Sequence, residues 1–150
     1  MGIAAIRSFF HSKLSHGQEE HRPDPVAIAA CALLLELAHA DDFFGEEERE
    51  RILRAVREDL KVPEEDVREV LRLAEEERRE SVDLYQFTRL VAENYTKAER
   101  LRLIEAIWGV VYSDGVLTAQ ENQLARRIAE LLGFQHPEVQ AVKERVAGRT

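Results

Sequence analysis

The chain has 150 residues, 29 Asp and Glu against 21 Lys and Arg, a net charge of −8 and 45% hydrophobic residues. This length and apolar content suffice for one domain with a real core and exclude a disordered chain. The acidic balance argues against a nucleic-acid binder, which needs clustered Lys and Arg, and suits cations or basic partners better.

The arm, residues 1–24, differs from the rest. Ile3, Ala4, Ala5, Ile6, Phe9 and Phe10 predict a short amphipathic helix docked by the two Phe, or else a flexible arm. His11, His16 and His21 recur every five residues, which rotates each away from the last and argues against a shared metal. The start lacks the Ser or Thr required for myristoylation, and neither a signal peptide nor an 18-residue apolar span is expected.

Residues 25–150 read as the folded domain. The run 26–40 is apolar nearly throughout, broken by Glu36 and His39, which predicts a helix at the centre of a bundle. Cys31, the single cysteine, lies in it, so no intrachain disulfide can form and a cytoplasmic location is expected. Residues 46–60 follow with Ile52, Leu53, Val56 and Leu60 at helical spacing and three Glu in the first turn. Pro63 opens a third helix to about residue 79, whose charged tail, 75–80, reads as a solvated face. Ser81 or Asp83 caps a fourth helix through Leu84, Phe87, Leu90 and Val91. Thr96 with Glu99 forms a capping box opening the helix 97–112, which carries Leu101, Ile104, Ala106, Ile107, Trp108, Val110 and Val111. Thr118 with Glu121 is a second box, opening 119–132, which Gly133 closes. Residues 137–146 form the last helix. No period-two alternation marks a strand. The expected fold is all-α, a single-domain helical bundle of about seven helices.

That bundle reads as two pseudo-repeats. His39-Ala40-Asp41-Asp42 with Glu48 corresponds to Tyr112-Ser113-Asp114-Gly115 with Glu121, at an offset of 73 residues. Leu60-Lys61-Val62-Pro63 resembles Leu132-Gly133-Phe134 and the residues up to Pro137. In each copy an apolar helix ends at an Asp, and a Glu follows seven residues later. An Asp at a helix C-terminus faces the negative dipole end and calls for an offsetting partner. One candidate is a divalent cation, Ca²⁺ or Mg²⁺, held by Asp41, Asp42, Glu48, Asp114 and Glu121 with freed backbone carbonyls. The spacing is not that of an EF-hand. The alternative is structural: Asp folds back on its own turn, and Glu is the third-position member of a capping box. His39 and Tyr112 read as packed side chains with polar tips. No nucleophile–base set, Gly-rich phosphate loop or zinc pattern is present, so no catalysis and no catalytic residue are expected.

The segments Ala38-His39-Ala40-Asp41-Asp42 with Glu48, and Tyr112 to Leu117 with Glu121, resemble the tellurite-resistance protein B (TerB) family. They also resemble the N-terminal cytoplasmic module of DjlA-type J-domain co-chaperones. The resemblance spans about 26–146 and implies a compact all-α module whose paired acidic turns serve as a metal site. It implies a role beside membrane-associated stress or metal-response complexes, with a protein partner and no catalysis. Asp42 departs from the family's usual Asp-Gly. Two functions follow as expectations: a cation-binding module that docks on a partner, or a metal-free helical interaction scaffold or co-chaperone-like adaptor. The docking surface of the second would be residues 46–80, with 14 acidic and 9 basic side chains.

Overall fold

The computed structural model describes residues 23–40, 45–112 and 118–149. Among them are seven α-helices and no strand. In chain order these are α1 (Pro25–Ala38), α2 (Glu46–Glu58), α3 (Val67–Glu80), α4 (Tyr85–Asn94), α5 (Lys97–Tyr112), α6 (Ala119–Leu131) and α7 (His136–Arg149). A 3₁₀ turn, Glu64–Asp66, leads into α3. All-α architecture is thus as the periodicity predicts. The third helix begins later than Pro63 suggests, because the 3₁₀ turn intervenes. The last helix runs past 146 to Arg149.

The core forms around α1. Asp24 caps it through Oδ1, which accepts from Val26 N at 3.0 Å, and Pro25 occupies the first turn, where its missing N–H costs nothing. Ile28 through Leu35 are completely buried, and so is Leu37. Helices α2, α3, α4, α5 and α6 all pack against it. A helix with no polar stripe finds a stable place only where partners surround it. Helix α7 lies on α5, burying Val139, Val142 and Val146. In α5 Leu103 is buried, while Leu101 and Val110 sit at the core's margin.

The tail of α3 corrects the expectation of a solvated face. Glu77 is 2% exposed, on the same helical face as Val70, Leu73 and Ala74. Arg78 Nη1 reaches Glu36 of α1 at 3.2 Å and its Nε lies 3.8 Å from Glu75. Only Arg79 and Glu80 of that tail are exposed. The helix period continues inward although the residue type has changed, so charge composition misleads there.

Two helix ends use left-handed backbone. Lys61, φ 59°, follows α2, and Val62 N then donates to Val56 O. Gly133, φ 95°, follows α6, and Phe134 N donates to Ala129 O. Both turns bury the next apolar residue, Val62 or Phe134. Only Gly takes this conformation without steric cost. Arg100 reinforces the second turn: Nη1 donates to Leu132 O at 2.5 Å, and the guanidinium lies 5.9 Å from the Phe134 ring centroid.

Candidate functional site

Of the five residues the acidic turns nominate, Glu48 and Glu121 are described; Asp41, Asp42 and Asp114 lie outside the described residues. Glu48 sits in the first turn of α2 and accepts from Gly45 N through Oε1 at 2.9 Å. Its other oxygen is 3.5 Å from Arg51 Nη1. Glu121 sits in the first turn of α6 and is 7% exposed. Its Oε1 accepts from Thr118 N at 3.2 Å and from Thr118 Oγ1 at 3.1 Å, while Glu121 N donates to Thr118 Oγ1 at 3.0 Å. The capping box read from Thr118 and Glu121 is therefore present. Glu48 makes the backbone half alone, since Gly45 has no side chain.

The same geometry recurs at Thr96: its N–H donates to Glu99 Oε1 at 2.8 Å, and Glu99 N donates to its Oγ1 at 3.1 Å. The two nominated Glu stand on separate helices that both pack on α1. Among the described residues, no group of three or more His, Cys, Asp or Glu side chains could hold a metal ion. His39 ends α1 half-buried, its N–H donating to Leu35 O at 3.0 Å. Tyr112 ends α5 with its ring 6.1 Å from that of Trp108, partly buried against the core.

Sequence inspection missed a cleft of about 170 Å³ beside the start of α1. Asp24, Asp59, Asp66 and Glu99 line it with Lys61 and Tyr95. Burial, then the carboxylates of Asp24 and Glu99, push the Tyr95 phenol up, keeping its proton on the oxygen. The acidic side chains come from different helix termini, so no local spacing reveals the cleft. Asp24 and Glu99 are already committed to caps.

Cys31 is fully buried. Burial, with Glu75 nearby, pushes its thiol far above the ordinary value of 9.0, so the protonated form packs as a small hydrophobe.

These features define a class: an all-helical module organised around a buried central helix, with several of its helix starts fixed by glutamate caps. Residues 27–144 match the family described as tellurite resistance protein TerB, and the chain belongs to that family. No curated protein and no solved structure matches it. Among the described residues, no helix is long and apolar enough to cross a membrane.

Proposed function

We propose that this chain is a non-enzymatic TerB-family module whose paired acidic turns hold a divalent cation, and that it docks on a protein partner in a tellurite-type metal or stress response. The carrying observation is the placement of Glu48 and Glu121. Each accepts from the backbone N–H of the residue that caps its helix, Gly45 or Thr118, which follows one of the two Asp-bearing segments in sequence. Glu48 Oε1 accepts one hydrogen bond there, and a carboxylate oxygen so engaged keeps a lone pair for a hard cation. A buried, reduced cysteine suits a cytoplasmic setting, where the partner is membrane-associated. The sequence reads as two pseudo-repeats, with one such corner in each half.

The test is thermal unfolding of chelator-treated protein with Ca²⁺, Mg²⁺, Mn²⁺ or Zn²⁺ added in turn. A cation at about 100 times its dissociation constant raises stability by roughly 2.7 kcal/mol, a shift of several degrees. The shift should disappear in Asp114→Asn and Asp41→Asn. A shift that both variants retain would remove these turns as the site.

One observation favours the metal-free scaffold instead: both Glu carboxylates already satisfy caps. In that case no ion shifts the transition, and the acidic surface of residues 46–80 is the contact face, as in a co-chaperone-like adaptor. Charge reversal at Glu47 and Glu65, both exposed, should then abolish capture of the partner.

A further inference from the structure

Seven cations of the described surface stand in ion pairs. Arg51, Arg57, Arg72, Arg78, Arg89, Lys97 and Arg145 each have a carboxylate at ion-pair distance. Arg126 of α6 and Lys143 of α7 are held by uncharged side chains instead. Arg126 Nη1 lies 3.1 Å from His136 Nδ1, which must accept, and Nη2 donates to Gln140 Oε1 at 3.3 Å. Lys143 Nζ donates to Asn122 Oδ1 at 3.1 Å and sits 5.2 Å from the centroid of the Trp108 ring. Every one of these partners is neutral. Among the described residues, neither cation has a carboxylate at ion-pair distance, and both stand on the same α6–α7 seam.

The helix period explains why these groups converge. Asn122 and Arg126 are four apart on α6; His136, Gln140 and Lys143 follow at steps of four and three on α7. The two rows face each other across the seam. The contacts use only part of the donor supply: a guanidinium and an ammonium keep further N–H groups and have no acceptor of their own. The core below holds them in place, because Ala125, Val139 and Val142 are buried and Lys143 rests on the Trp108 face.

We propose that the α6–α7 seam is a binding site for a phosphate-class oxyanion, gripped by the fork of Arg126 and the ammonium of Lys143. Two formal positive charges match a phosphate, which carries roughly −1.5 to −2 at neutral pH, better than one carboxylate. The Asn122 amide can turn a donor to the same ligand. Glu144 accepts from Gln140 Nε2 at 3.2 Å, so a carboxylate is bonded to this row and opposes an anion on its own side. Partial burial, then the Arg126 charge, lowers the affinity of Lys143 for its proton, a penalty that a bound anion relieves. The site is separate from the acidic turns and stands whether or not they bind a cation.

The experiment is an amide and lysine-side-chain NMR titration of the full chain with inorganic phosphate at constant ionic strength. A parallel arm uses O-phosphoserine. Saturable shifts should centre on Asn122, Arg126, Gln140 and Lys143, and the Lys143 ammonium should titrate at higher pH when phosphate is bound. Arg126→Gln and Lys143→Gln should each weaken binding by about tenfold or more. Lys143→Arg, which restores the charge, should recover much of it. Arg89→Gln, on α4, should bind as the parent does. Tighter binding of phosphoserine assigns the site to a phosphorylated partner; equal binding assigns it to the free ion. Shifts reproduced by NaCl, or retained in both Gln variants, overturn the proposal.

Discussion

At the scale of single residues, backbone conformation sets two opposite expectations. Lys61 holds φ 59° at the end of α2, where a Cβ is unfavourable. Lys61→Gly should stabilise the fold by roughly 0.5–1 kcal/mol, read from urea midpoints at constant m. Gly133→Ala should do the reverse, by about 1–3 kcal/mol. A Cβ there meets Arg100 Nη1 at 3.1 Å on top of the φ of 95°, and that guanidinium already caps Leu132 O. Cys31 supplies a different test. Its thiol is buried and firmly protonated, so an aromatic disulfide reagent at about pH 8 should react only through opening of the fold. The rate should be at least about 10³-fold below that of a free cysteine. Rapid labelling of the native chain would show that α1 is less enclosed than the packing indicates.

At the scale of elements, the helix starts explain how much the sequence discloses. A capping box is local chemistry, so Thr96 with Glu99 and Thr118 with Glu121 are legible three residues apart and appear as expected. What fails to be legible depends on neighbours distant in the chain. Glu77 is buried because α3 turns that face onto the core, a fact its charged surroundings conceal. The Asp24–Asp66–Glu99 cleft needs three helix starts brought together, and the Arg126–Lys143 seam needs two helices in register. Of the nominated metal ligands, the sequence locates Glu48 and Glu121 at helix starts correctly. Their spacing alone leaves capping and ligation open, because one carboxylate can do both. The caps yield a measurement of their own. Thr118→Ala should cost about 1 kcal/mol. Gly45→Ser should gain a few tenths, because Gly45 has extended backbone (φ −107°, ψ −169°) that any residue adopts, and Ser supplies the missing half of the Glu48 box. If Gly45→Ser instead destabilises, the start of α2 is held by something other than its cap.

At the scale of the whole molecule, the titrating groups bound a pH range. Arg57 lowers the Glu64 carboxyl, Arg72 lowers Glu69, and the Gln135 N–H with Lys97 lowers Glu138, all from the ordinary 4.5. The unfolded chain holds those protons more tightly, so the stability they contribute is complete above 4.5. It is lost as pH falls through the lower folded-state values. Cys31 and Tyr95 are raised, from 9.0 and 10.0 respectively. Their contribution is complete below those values and declines as pH climbs beyond them. Urea midpoints should therefore be flat between about pH 5 and 9 and fall on both sides. Tyr95→Phe should flatten the alkaline limb above about 10 and leave the acid limb unchanged. The exposed pairs behind the acid limb are screened, and added salt should reduce their part of it.

The central position of α1 has a cost during synthesis. It is the first described helix to leave the ribosome, yet its surface is closed by α2 through α6, and α6 begins only at Ala119. From Ala38 to Ala119 is 119 − 38 = 81 residues, and at roughly 5–20 residues per second the apolar cylinder waits about 4–16 seconds for its last neighbour. For that interval Ile28 through Leu37 form a greasy, partnerless rod on a nascent polypeptide. Slower translation of the second half of the message should therefore lower the soluble yield, and early chaperone engagement at α1 should restore it.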